Sequence, residues 1–236
     1  MNHKNSIIPK LLGRRSAAFA GMAVPLLLIA AVAGCGGSSS PARTSASAQL
    51  PSGFSRPSAG VVQQIDALGD TVDSHTHQPA PAPREADISQ VTISKDGQNL
   101  VFTMDVSGPL PDTRPSDTLA AEWGFLLDTN GDGKPDWGVY ARFPVGQSNW
   151  SWGLYNQINK NDLSDQKFPG TMTHSGTRLT ITLNTAAIGS PKSFRWMAYT
   201  DDAEAPIQGE TTPEQQAGDL VPNNAWPAGS EWLPYP

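Results

Sequence analysis

From Asp87 onward the chain alternates apolar and polar positions in short runs punctuated by turn residues, the pattern of half-buried β-strands. Ile88, Val91 and Ile93 run into Lys95-Asp96-Gly97-Gln98-Asn99 and then Leu100-Val101-Phe102-Thr103-Met104-Asp105-Val106, which predicts a hairpin around a glycine turn. Trp123–Leu127 and Trp137–Ala141 predict a second pair around an acidic loop, and Ser148–Tyr155 predicts an aromatic strand. Met172–His174 and Leu179–Leu183 give a further hairpin, and Phe194–Tyr199 the last clear strand. Pro109, Pro111 and Pro115 mark an irregular loop, because proline removes a backbone donor. Asn184 is placed to cap a single helical turn ending at Gly189. About eight strands with almost no helix predict an all-β fold, an antiparallel jelly-roll-like β-sandwich over residues 84–236.

The pattern before residue 84 is different. Lys4, Lys10, Arg14 and Arg15 precede the apolar run 17–34, an arrangement that reads as an export signal over 1–34. Val32-Ala33-Gly34-Cys35 resembles a bacterial lipobox, which implies cleavage before Cys35 and its lipidation. A secretory signal without lipid and an uncleaved membrane helix are the alternatives. Two acyl chains on one cysteine suffice for stable anchoring, so the expected location is the extracytoplasmic face of a bacterial membrane. Residues 35–83 then form a tether. They open with Gly-Gly-Ser-Ser-Ser-Pro and continue rich in Ser, Ala, Thr and Pro, too poor in apolar residues to fold. Within them Val61, Val62, Ile65, Leu68 and Val72 fall at helical spacing, which predicts a short amphipathic helix over 61–73. His75 and His77 are spaced for one side of an extended segment but have no further ligand in register, so a polar loop is expected there.

Composition narrows the function. Setting aside the leader leaves 12 basic against 22 acidic residues, which speaks against a nucleic-acid partner. Of the 18 aromatics only Phe19 and Phe54 precede residue 84, so the core is expected from there on. Cys35 is the only cysteine, which excludes internal disulfides and all-cysteine metal sites.

The sharpest motif is Asp128-Thr129-Asn130-Gly131-Asp132-Gly133-Lys134-Pro135-Asp136. Alternate oxygens of such a loop suit Ca2+, a hard cation that takes six to eight of them. Asp128, Asn130 and Asp132 hold the first, third and fifth places, the Lys134 carbonyl the seventh and Asp136 the ninth. The motif resembles the loops of EF-hands, dockerins and thrombospondin type-three repeats. It departs from the EF-hand at the twelfth place, where Val139 replaces the bidentate glutamate, and Asp201 or Asp202 are the candidates to complete the shell. An ordinary Asx/Gly turn with surface acids is the plainer reading.

Seven tryptophans are many for one domain. Trp150 and Trp152 share one strand face with Tyr155 on the other, and such rings can stack on sugars while Asn149, Asn156 and Gln157 bond hydroxyls. Core packing is the competing reading, and it is favoured for Trp123, Trp137 and Trp196. Trp226, Trp232 and Tyr235 are expected to pack the C-terminal stretch along a sheet edge. Catalysis has little support: there is no nucleophile elbow, and Asp201-Asp202, Glu122 and Glu210 are carboxylates of unknown separation.

The order Asp87-Ile88…Val91, Phe102-Thr103-Met104-Asp105-Val106, Trp123…Leu127-Asp128 and Arg195-Trp196-Met197-Ala198 is similar to the sandwich of family-nine carbohydrate-binding modules and DOMON domains. That resemblance implies the fold over roughly 87–207. It also raises sugar binding, and haem binding through Met104, Met172, Met197 or His174. The combined reading is a lipid-anchored, calcium-stabilised module for carbohydrate or cell-envelope polymer. A structural or protein-interaction domain is the alternative, and a glycoside-acting enzyme the third.

Overall fold

The computed structural model describes residues 50–73, 78–113, 121–143, 148–163, 169–203, 216–223 and 231–236. The leader, Cys35, the tether to residue 49, His75, His77, Glu210 and Trp226 lie outside them. Among the described residues no helix is long and apolar enough to cross a membrane.

Two antiparallel sheets pack face to face, so the expected sandwich is what the chain forms. The six-stranded sheet runs β1 (Phe54–Ser58), β2 (Val61–Ile65), β4 (Ile88–Asp96), β5 (Asn99–Val106), β11 (Arg178–Asn184) and β10 (Gly170–Ser175), in that order. The eight-stranded sheet runs β3 (Val72–Asp73), β13 (Gln216–Val221), β12 (Phe194–Ala203), β6 (Ala121–Asp128), β7 (Trp137–Arg142), β8 (Ser151–Asn156) and β9 (Asn161–Asp162). Its eighth strand, β14 (Leu233–Tyr235), pairs with the first residues of β12, while β13 pairs with the rest. Two strands therefore share one edge of β12. Trp232 and Tyr235 are buried there, as the C-terminal aromatics were expected to be.

Strict alternation sets the core. On β5, Leu100, Phe102, Met104 and Val106 are buried, and Val101, Thr103 and Asp105 only partly so. Leu179, Ile181 and Leu183 of β11 join them from the same sheet. Trp123, Phe125 and Leu127 of β6 and Trp196 and Ala198 of β12 face them from the other sheet. Phe102 and Phe125 meet across the interface with ring centroids 5.0 Å apart. The predicted turn is also present: Asn184 accepts the Ala186 N–H over the one-turn helix Thr185–Ile188, and Gly189 ends it at φ 82°.

Two boundaries differ from expectation. The segment 61–73 is not a helix: Val61–Ile65 is β2, paired with β4 from Val61↔Ser94 to Ile65↔Gln90. The sandwich thus begins at Phe54, not at residue 84. Val62 is fully buried, whereas Ile65 and Leu68, two members of the supposed apolar stripe, are exposed. β-Branched residues and an open edge on β4 decide the segment's conformation, and a five-residue segment with three apolar positions is too short for periodicity to discriminate.

Candidate functional site

The loop after β6 is built as its sequence suggests, yet the carboxylates are turned to hold backbone. Asp128 is buried and accepts the Gly131 N–H at 2.7 Å and the Gly133 N–H at 3.0 Å. Its Oδ2 also takes Arg195 Nη2 from the neighbouring strand. Asp136 accepts the Thr129 N–H at 2.8 Å, the Thr129 hydroxyl at 2.6 Å, the Asn130 N–H at 3.0 Å and the Asn130 amide at 2.9 Å. Asn130 Oδ1 accepts the Asp132 N–H, and Asp132 accepts the Lys134 N–H. Gly131 and Gly133 sit at φ 83° and 85°, a conformation open to glycine and costly for most other residues.

Asp201 and Asp202 do not complete this loop. The register pairs Arg195 with Asp128 and Asp201 with Glu122, so Asp201 lies six residues along β12 from Arg195. At ~3.4 Å per residue that is about 20 Å away. The charge beside Asp128 is the Arg195 guanidinium instead.

The aromatic set is divided by the sheet. Trp150 and Trp152 are half-buried and pack against the core. The Trp150 ring lies 4.8 Å from Trp123, 4.2 Å from Phe143 and 4.9 Å from His174, and its N–H donates to the Pro111 carbonyl. Asn149 is exposed before β8, and Tyr155 is buried on the opposite face. The two tryptophans therefore form no open strip. Of the haem candidates, Met104, Met172 and His174 share the inner face of the six-stranded sheet, with Met104 and His174 level with Leu179, while Met197 lies on the outer face of the other sheet.

A carboxylate group that the sequence reading did not single out lies where β13 meets the lead-in to β4. The carboxylate oxygens of Asp66, Asp70 and Asp219 lie within 4.8 Å of one another. Those of Asp128, Asp132 and Asp136 are not so gathered. Asp219 is held by the Ile88 N–H at 2.7 Å and its Oδ1 by the Leu220 N–H at 2.7 Å. Asp70 accepts the Asn223 amide, and the adjacent Asp87 accepts the Gly69 N–H at 3.0 Å. One oxygen of Asp66 and one of Asp70 are buried without a partner. Burial, then Asp219 and Asp70, push the Asp66 carboxyl up to about 8. Burial, with Asp70 and Asp87 adding, pushes Asp219 up to about 7 against the Ile88 and Leu220 hydrogen bonds. Hard oxygen ligands at this spacing can hold a divalent cation.

A second polar group occupies the outer face of the eight-stranded sheet. Cross-strand pairing places Asp201, Glu122, Arg142 and Ser151 in one row over β12, β6, β7 and β8. The next row holds Tyr199, Gly124, Tyr140 and Gly153. The Tyr199 hydroxyl donates to Glu122 Oε1 at 2.5 Å, and Arg142 Nη1 stands 4.0 Å from Glu122 Oε2. The Arg142 guanidinium lies over the Tyr140 ring, 4.8 Å from its centroid. Asp201 is 4% exposed, and neither of its carboxylate oxygens has a hydrogen-bond partner. Burial, then Glu122, pushes its carboxyl up to about 7. Burial and Glu122 likewise raise the Tyr199 phenol well above its ordinary value. Glu122 and Asp201 were legible only as loose acids, because their pairing joins strands far apart in the chain.

No family model matches the chain, and no curated protein matches it in sequence.

Proposed function

We propose that the chain is an exported, lipid-anchored binding module. In this reading a calcium ion stabilises its β-sandwich, and its ligand is carbohydrate or another cell-envelope polymer. The observation that carries the calcium part is the convergence of Asp66, Asp70 and Asp219 within 4.8 Å. Among the described residues no ion pair reaches any of the three, and one oxygen of Asp66 and one of Asp70 are buried without a partner. A calcium ion ligated there would tie the turn after β2 to β13, and with them the two sheets. The loop Asp128–Asp136 is the second place for such an ion, through Asp128, Asn130, Asp132, the Lys134 carbonyl and Asp136. The export signal and Cys35 support the membrane face, where free calcium is commonly high enough to fill a modest site.

The carbohydrate part is supported by the resemblance to family-nine modules and by the aromatic and polar content of the sheets. The test is retention of the full-length chain, in detergent micelles, on cellulose, chitin, xylan and peptidoglycan, in calcium and in chelator. Retention on one polymer is the expected result, and its absence on all four refutes the carbohydrate part. The inward packing of Trp150 and Trp152 favours a second reading, a rigid protein-interaction domain, which that negative result would leave standing.

A further inference from the structure

We propose that Leu50, Ile65 and Leu68 form a surface by which the sandwich lies against a lipid bilayer, so that the end where the chain enters from Cys35 is the membrane-facing end. This contact supplements the lipid on Cys35 and rests on that reading of the cysteine.

Among the described residues the exposed large apolar side chains are Leu50, Ile65, Leu68 and Ile158. One such residue alone is ordinary on a protein surface. Three of these four lie close together in the chain, and hydrogen bonds hold their backbones at one place. The buried Gln64 side chain donates to the Ser52 carbonyl at 2.7 Å and to the Ile65 carbonyl at 2.8 Å, which clamps the entering chain to the end of β2. The Ile65 N–H donates to the Gly53 carbonyl at 3.2 Å, and a Cβ at Gly53 would stand 2.5 Å from the Ile65 carbonyl oxygen. Leu50 is therefore three residues from backbone that touches Ile65. Leu68 is the tip of the turn that follows, which is pinned on both sides. The Asp66 N–H donates to the Ser89 carbonyl at 3.0 Å, and the Gly69 N–H to Asp87 at 3.0 Å. The turn holds Leu68 63% exposed and Ile65 54% exposed, an apolar area that contact with an apolar phase removes from water.

The point of chain entry selects lipid as the occupant. Residues 36–49 separate Cys35 from Leu50, and fully extended they span at most about 50 Å. Leu50 itself opens the apolar surface, so an anchored chain presents this end of the sandwich to the bilayer. Ile158 belongs to the other end. It follows β8 by two residues, and Asn156 of β8 is level with Trp137, Leu127 and Trp196. Asp219, beside which the Leu68 turn sits, is level with Thr200, four residues or about 14 Å farther along β12. The rim is mixed in charge, with Asp66 and Asp70 on either side of Leu68 and Arg84 exposed shortly before Asp87. Apolar tips within a charged rim suit the boundary between acyl chains and headgroups.

The test uses the full-length chain purified from bacterial membranes and reconstituted in phosphatidylcholine vesicles that contain a nitroxide-labelled lipid. Leu68→Cys and Ile158→Cys each carry an apolar, environment-sensitive thiol dye. A lipid-bearing Cys35 has no free thiol, so the unaltered chain should take up no dye; uptake would refute the anchor and this contact with it. With the anchor in place, the dye at Leu68→Cys should be quenched at least about fivefold more than at Ile158→Cys, and adding Leu50→Ser and Ile65→Ser should abolish most of that difference. All four positions are exposed, so melting temperatures should stay within about 2 °C of the unaltered chain. Equal quenching at the two labelled sites overturns the lipid contact and leaves the anchor standing. An unquenched blue shift at Leu68→Cys that grows with the protein-to-lipid ratio overturns it too, and gives the surface to a second copy of the chain.

Discussion

Calcium should raise the melting temperature of this protein, and by more at pH 8 than at pH 5.5. Two ionised carboxylates 4.8 Å apart repel by about 3.5 kcal/mol at an effective dielectric constant near 20. Three such pairs among Asp66, Asp70 and Asp219 make full ionisation cost about 10 kcal/mol, comparable to the whole stability of a domain. Without a cation the group therefore keeps protons, in line with Asp66 at about 8 and Asp219 at about 7. Both folded values lie above the ordinary 3.8, so the native state binds more protons than the unfolded chain between about pH 4 and pH 8. The stabilisation from those protons is complete below the lower limit and is lost as pH rises. The slope approaches ~1.4 kcal/mol per pH unit per group, less for the partly exposed Asp66, which water screens. Calcium replaces the protons and removes this loss. At 1 mM calcium and a dissociation constant of about 10 µM, the gain is about 2.7 kcal/mol. For a domain of this size that is roughly 5–11 °C. Thermal unfolding followed by circular dichroism in calcium and in EGTA, at both pH values, measures it. Equal melting temperatures at pH 8 would refute the cation. A calcium shift that persists in Asp66→Asn/Asp70→Asn but vanishes in Asp128→Ala/Asp132→Ala would move the ion to the loop after β6.

Further outcomes follow from single contacts. Asp201→Asn should flatten the pH dependence of stability in chelator between about pH 4 and pH 7, because the native Asp201 carboxyl holds its proton up to about 7; urea titrations across that range will show an unchanged slope if burial is not the cause. Trp150→Ala should cost about 3–4 kcal/mol through lost packing on Trp123 and Phe143, read as a lower urea midpoint, while polymer retention of the folded variant stays unchanged. Arg195→Ala leaves the buried Asp128 without its cation and should lower stability by about 1–3 kcal/mol, with a smaller effect if calcium occupies that loop. Gly124→Ala places a methyl 2.4 Å from the Tyr199 ring, so the ring must move and stability should fall by about 1–3 kcal/mol.

The strands were legible where alternation was long enough to carry a phase. Leu100, Phe102, Met104 and Val106 fix β5, and Leu179, Ile181 and Leu183 fix β11, each with polar residues between. Val61–Ile65 misled because five residues with an apolar pair at one end fit a helix turn as well as a strand, and only the unpaired edge of β4 decides. The Asn184 cap was readable because its chemistry is local. The candidate sites are the opposite case. Asp66 and Asp219 are separated by most of the domain, and Glu122 meets Asp201 through a strand pairing that composition does not encode. Trp150 and Trp152 were correctly placed on one face, but alternation does not say which face is inward. The burial of the other face, with Tyr140, Tyr155 and Tyr199 on it, carried no local signal.

The pairing order also governs how the chain can acquire this structure. Each sheet has an earlier strand bonded to one more than sixty residues later: β5 to β11, with Leu100 opposite Leu183, and β6 to β12, with Asp128 opposite Arg195. The six-stranded sheet cannot be completed until β11 is made and the eight-stranded sheet until β12, β13 and β14 are, so until then the emerging chain holds two separate meanders, β1-β2-β4-β5 and β6-β7-β8-β9. Such high contact order places folding in the millisecond-to-second range. A polypeptide whose sheets are joined only in its last third keeps the facing core residues of both meanders unpaired until then.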